Sequence, residues 1–265
     1  MAFATVEMDG SVYSALIEGD EAWIMGQGDL TARLGDLTRY AGRKSDLRRV
    51  NLTEVRLRQP ILRPGKILGI GLNYAAHAAE SVSFVSNKSP CVQKWFNKQT
   101  TAANGPYDPV HLPKVSIQLD YEGELAVVIG RSCRHVSEDQ AMEIVAGFTC
   151  ACDYSVRDWQ KASPTMIMGK GFDTHAPFGP YLVPRDSISD WRNLDIRTFV
   201  NDELRQSARA GEMTFSIAQQ IEHLSAAFTL EPGDVIFTGT PAGVGAGHTP
   251  PKWLKAGAHV RVEIS

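Results

Sequence analysis

The chain has 265 residues, 43% of them apolar and 22% charged, with a formal net charge of −3. That length can bury a full core, and so small a charge excludes neither sign of ligand but gives no reason to expect a nucleic-acid or anionic-membrane partner. No apolar run approaches the roughly 20 residues that span a bilayer, and the N-terminus lacks the basic and apolar regions of a signal peptide, so a cytoplasmic protein is expected.

In chain order, 11–17 (SVYSALI) and Ala22-Trp23-Ile24-Met25 flank the turn signal Glu18-Gly19-Asp20, which predicts a hairpin. A mostly helical, charged segment follows through Leu47, with Arg43-Lys44 and Arg48-Arg49 as a solvated face. Pro60 and Pro64-Gly65 mark the passage from a small N-terminal β/α domain (1–60) to the main domain (61–265). There 66–71 reads as a strand, and Asn73 as the N-cap of a helix over 74–80. Residues 81–113 are polar and proline-punctuated; a stretch that long without periodicity predicts a functional lid. Beyond the strand that begins at Glu122, Ser137 is expected to cap a helix through Ile144. Strands are expected at 179–183 and 194–200, a turn at Asn201-Asp202, a helix at 216–228, and further strands within 230–239 and 260–265. Strands dominate without a regular βαβ alternation, so the fold class is α+β, mainly β. Cys91, Cys133, Cys150 and Cys152 lack Cys-x-x-Cys spacing and read as buried free thiols rather than zinc ligands.

Chemistry concentrates in four places. Glu122 and Glu124 stand at i and i+2 of a strand, so both carboxylates project from one face; Asp153 ends a second apolar run. Three hard oxygen donors suit Mg²⁺ or Mn²⁺, the alternative being a solvated strand face. His77 and Glu80 are neighbours on one helix face, and a carboxylate beside an imidazole makes a general base. Lys170 lies between two glycines that allow a ligand or a backbone close approach, or else form a surface turn. The glycine-rich loop 239–247 lacks the Gly-Lys-Ser/Thr ending of a nucleotide loop, yet its exposed amides and the Thr240 hydroxyl suit a carboxylate. Residues 69–74 hold two of the three glycines of a dinucleotide fingerprint, which excludes that reading.

Taken together, 71–80 (GLNYAAHAAE), 120–125 (DYEGEL), 152–160 (CDYSVRDWQ), 169–173 (GKGFD) and 239–245 (GTPAGVG) resemble the fumarylacetoacetate hydrolase family, in its order and from about residue 60 onward. The resemblance implies a mixed β-roll with a small N-terminal domain, a homodimer, and Mg²⁺ or Mn²⁺ (Ca²⁺ replacing it in crystals) held by Glu122, Glu124 and Asp153. It implies that His77 with Glu80 activates water, that Lys170 is the cation beside the substrate, and that Thr240, Lys98, Tyr74 and Gln160 contact it. The substrate class implied is a small 2-oxo acid. The reaction implied first is hydrolysis of a C–C bond in a 2,4-dioxo acid of the acylpyruvate or fumarylpyruvate kind, as in aromatic compound catabolism. Oxaloacetate decarboxylation and hydration or isomerisation of unsaturated 2-oxo diacids are the alternatives, and a non-catalytic metal-binding scaffold is the reading of a different class. Two departures stand out. Lys98 is followed by Gln99-Thr100-Thr101 where relatives carry Pro and small residues, so lid contacts should differ. Relatives also continue past the final strand with a glycine turn and one more strand, so a truncated, less stable chain is expected.

Overall fold

The computed structural model describes residues 1–81 and 91–265. One 11-stranded sheet runs through them. Its order is Arg48–Asn51, Glu21–Gln27, Ser11–Glu18, Ala2–Met8, Tyr181–Pro184, Val145–Cys152, Gly123–Ile129, Val235–Phe237, Ile67–Gly71 and Lys94–Lys98, with Arg56–Arg58 added beside Ala2–Met8. Val235–Phe237 and Ile67–Gly71 run parallel, and the other pairs are antiparallel, so the sheet is mixed and the class α+β, mainly β. The N-terminal strands join the rest through Phe3↔Leu182 and Ala4↔Tyr181.

The expected hairpin forms with Glu18 opposite Glu21. An earlier one, not anticipated, turns at Asp9 and Gly10, whose φ values of 51° and 72° give a two-residue turn that matches strand twist. The helical segment before Leu47 is broken into short pieces at Leu30–Asp36, Leu37–Ala41 and Lys44–Asp46.

Gly123–Ile129 is paired on both edges, by Val145–Cys152 and Val235–Phe237, and every residue in it is buried. Its alternate side chains supply two cores. Leu125, Val127 and Ile129 meet Ile217, Ile221 and Leu224, which recur along one face of helix Ile217–Ala227. Ala126 and Val128 meet Phe3, Leu16 and Leu30 from the N-terminal segment on the opposite side. A strand covered on both faces is apolar throughout, which is why this one reads as an unbroken run after Glu124. The helix is capped as a box, Ser216 accepting from Gln219 N–H and Gln219 reaching back to Ser216 N–H.

Three expectations are corrected. Asn73 does not cap through its side chain: fully buried, it bonds Phe215 N–H, Phe215 C=O and Thr238 C=O, which satisfies its amide across two distant segments. Ser137 makes no cap bond either, and Glu222 accepts from the Glu138 N–H instead. Lid character cannot extend across the whole of 81–113, because Lys94–Lys98 is an edge strand of the main sheet and Ala103–Asn104 pairs with Ala176–Pro177. Of that stretch, 82–90 lie outside the described residues. All four cysteines are free, and the expectation that all are buried holds for Cys133 and Cys152 only, a fourth correction: Cys150 is half-buried and Cys91 exposed.

Candidate metal centre and active-site cavity

The register Gly123↔Cys152 sets Glu122 and Asp153 side by side, and the Asp153 N–H donates to the Glu122 carbonyl at 2.8 Å to extend the ladder. Ligand atoms of Glu122, Glu124 and Asp153 all lie within 4.8 Å of one another, and all three residues are buried. Gly123 between them tolerates no side chain, since a Cβ there would run into the Thr198 hydroxyl.

Three buried cations meet these carboxylates. Lys170 Nζ donates to Glu122 Oε2 and to Asp153 Oδ2, the latter at 2.5 Å. Lys98 Nζ donates to Asp153 Oδ1 and to the Tyr154 carbonyl. Arg157 donates to Asp120 at 2.8 Å, Glu122 at 2.7 Å and Gln160 Oε1 at 3.0 Å. Arg157 lay inside a quoted motif without an assigned role; a basic residue four positions past a candidate ligand was the available signal.

The charges are unequally matched. Burial works against ionisation of Glu122, but Arg157 and Lys170 outweigh it and hold that carboxyl well below the usual range. Glu124 has no ion pair among the described residues. Its burial, together with the charges of Asp153 and Glu122, pushes its carboxyl well above the usual range, against only Lys170 at a distance and the Gly239 N–H at 2.7 Å. A buried carboxylate facing two others and lacking its own counterion is what a divalent cation would relieve, so the donor set fits a hard divalent ion held by Glu122, Glu124 and Asp153.

Glu122 and Glu124 of this centre line a cavity of about 610 Å³, together with His77, Phe96, Lys170 and Thr240, while Asp153 is buried behind them. His77 Nε2 stands 3.9 Å from Glu122 Oε1. Burial lowers its pKa to about 4, with Arg157 and Lys170 reinforcing and Glu122 opposing, so the imidazole is neutral near pH 7. Its Nδ1 has no hydrogen-bond partner among the described residues. Glu80 is not joined to it: the Glu80 carboxylate accepts from Gly243 N–H at 2.7 Å and packs where a side chain on Gly247 would sit. Gln160 lines the cavity, whereas Tyr74 belongs to the buried cluster of Leu125 and Ile221 and is not part of the lining.

The glycine-rich loop uses much of its hydrogen-bonding capacity inside the protein. Four of its amides are taken by protein carboxylates: Gly239 serves Glu124, Gly243 serves Glu80, and Gly245 and Ala246 serve Asp120 at 2.7 and 3.0 Å. A protein with several buried carboxylates here satisfies them with the nearest N–H groups. The Thr240 hydroxyl is likewise engaged, within 3.0 Å of the Gly123 carbonyl, while it accepts from Gln206 Nε2 at 2.7 Å. Gln206, unnoticed in the sequence, also accepts from Gly123 N–H at 2.9 Å and donates to the Pro241 carbonyl at 2.8 Å. Both backbone groups of Gly123 are therefore held by side chains at a point where no neighbouring strand pairs with its outer edge. A glutamine eighty residues away in a polar strand gives no sequence signal for that role.

Residues 66–265 match the model of the fumarylacetoacetate (FAA) hydrolase C-terminal region. The chain belongs to the fumarylacetoacetate hydrolase family. An oxaloacetate tautomerase of Bacillus subtilis is 41% identical over 268 residues, covering 99% of this chain and 85% of that protein. A mitochondrial oxaloacetate tautomerase of Xenopus laevis is 44% identical over 214 residues, covering 80% of this chain and 66% of its own length. Among solved structures, a fumarylacetoacetate hydrolase from Exiguobacterium antarcticum superposes with a TM-score of 0.85 at 33% identity, covering 100% of this chain and 95% of that one. No helix among the described residues is long and apolar enough to cross a membrane.

Proposed function

We propose that the chain is a divalent-metal-dependent enzyme that forms the C2 enolate of a small 2-oxo acid and interconverts its keto and enol forms, with oxaloacetate as the model substrate. The observation that carries this reading is the convergence of Glu122, Glu124, Asp153 and Lys170 beside a cavity that Glu122, Glu124, Lys170 and the neutral His77 imidazole line. A divalent ion held by Glu122, Glu124 and Asp153 would supply Lewis acidity and orientation to the substrate's carboxylate and C2 oxygen. Lys170, already fixed against two of those carboxylates, contributes positive charge where the enolate oxygen becomes negative. His77 takes the C3 proton and returns it. The tautomerase names of two relatives support the same reaction.

The test is exchange of the C3 protons of pyruvate and oxaloacetate in D₂O, followed by NMR on metal-stripped protein before and after Mg²⁺ or Mn²⁺ is added. Metal-restored exchange is the expected result. No acceleration over buffer with either ion overturns the reading.

Hydrolysis of a 2,4-dioxo acid is the second reading, favoured by one observation: His77 Nδ1 has an open hydrogen-bonding position and Glu80 stands one turn further along the same helix. Were Glu80 to exchange the Gly243 amide for that nitrogen, the pair would activate water for attack at C4. Release of pyruvate from acetylpyruvate measures this directly.

A further inference from the structure

The cavity is lined by the candidate metal ligands Glu122 and Glu124 beside Lys170, and further positive charge stands on its more exposed lining, where Lys161 is exposed and Lys94 half-buried. Lys94 and Lys161 both line the cavity, and Glu122 and Glu124 are the acidic residues among its described lining. Among the described residues neither lysine has an ion-pair partner, as is also true of Lys114 and Lys255 outside this cavity, whereas Lys98 and Lys170 beside the carboxylates are both paired. Their placement follows from local periodicity. Lys94, Phe96 and Lys98 alternate onto one face of an edge strand, so Lys94 continues outward the line that begins at Lys98 on Asp153. Lys161 is four residues beyond Arg157 on helix Arg157–Ala162, one turn further from Glu122 on the same face. Leu72, Trp95, Phe96 and Met166 make a further part of the wall apolar.

We infer that Lys94 and Lys161 form a second anion-binding pole that reads the far carboxylate of a 2-oxo diacid, with the hydrocarbon between its two ends lying against the apolar wall. This rests on the enolate-forming reading for the near end of the substrate. Four residues of strand span roughly 13 Å, so the far carboxylate that suits this pole belongs to a chain longer than that of oxaloacetate. Two unpaired ammonium groups at the rim of a cavity also draw dianions into it ahead of monoanions.

The probes are 2-oxoadipate and 2-oxohexanoate, which share the 2-oxo acid end and the chain length and differ in the second carboxylate. Their dissociation constants are measured by calorimetry on the full-length Mg²⁺-loaded protein, alongside C3 exchange in D₂O. Wild type should bind the diacid at least tenfold more tightly. Lys94→Met and Lys161→Met should each reduce that preference about threefold to fivefold, and the double variant should abolish it, with binding of the monoacid unchanged. A diacid preference that survives in the double variant, or its absence from wild type, overturns the inference. Because binding is read without turnover, loss of exchange with both acids would instead strike the enolate reading and leave the binding ratio to decide the rim.

Discussion

Two regions of one sheet, its N-terminal end and the end of the inner strands that carries the carboxylates, are held together by opposite means. At the N-terminal end, Ala2–Met8 and Ser11–Glu18 bury Phe3, Ala15, Leu16 and Ile17, and their charges sit at the surface in pairs such as Arg58 with Glu7. At the other end, Glu122, Asp153, Lys98, Lys170 and Arg157 are buried to within a few per cent and held by one another. Burying apolar surface stabilises a fold outright, whereas burying ions stabilises it little or costs stability even when each is paired. The first end can therefore be read as scaffold, and the second as a place where stability is spent on a preorganised charge arrangement.

The sharpest way to break this contrast is to remove one charge from the second end. Glu122→Ala leaves the Lys170 and Arg157 bonds to that residue without an acceptor in a buried site. The expected outcome is loss of metal binding by calorimetry, a fall of at least ~10³ in exchange rate, and a loss of about 3–5 kcal/mol in denaturant unfolding. Wild-type metal affinity in this variant would remove Glu122 from the ligand set.

The matching change at the first end is Leu16→Ala. Leu16 is 2% exposed and packs in the same core as Phe3 and Val128. A cavity there costs about 2–5 kcal/mol in urea unfolding, while kcat measured at a temperature where the variant stays folded should be unchanged. A change in kcat would mean that the N-terminal strands reach the site, contrary to their reading as scaffold.

The two ends were not equally legible in the sequence. The apolar end announced itself by hairpin signals and by alternation, and even the missed strand Ala2–Met8 has an Asp-Gly turn behind it. The carboxylates were legible because two of them share a strand face at an i, i+2 spacing and the third ends a strand run. What paired with them was not. Arg157 and Gln206 act through contacts 35 and 83 residues distant in sequence, to Glu122 and Gly123. No local pattern encodes contacts that only the fold creates. Asn73 and four of the loop amides show the same effect: a donor that reads as available in a sequence is committed once a buried acceptor is folded against it.

Gln206 sharpens the comparison, because it belongs to the site without carrying charge. Gln206→Leu leaves the Gly123 N–H without its acceptor and frees Thr240 and the Pro241 carbonyl. A loss of about 1–3 kcal/mol in stability is expected. If Gly123 is held in order to aim Glu122 and Glu124, metal affinity should also fall about tenfold. Gln206→Glu keeps an oxygen for the Gly123 N–H and should recover part of that affinity. Loss of stability with unchanged metal affinity would make Gln206 a packing residue only.

The smallest effect belongs to the surface pairs of the apolar end. Arg58 and Glu7 join neighbouring strands, yet their side chains keep 26% and 28% of their exposure, so water and salt screen the pair. Arg58→Met retains the side chain's length against the sheet while removing the charge, and the expected change in stability is under ~1 kcal/mol, smaller still at high salt. A larger loss would mean that the N-terminal end also depends on its ions. The distinction between the two ends would then be one of degree, set by how far water is excluded rather than by which residues were chosen.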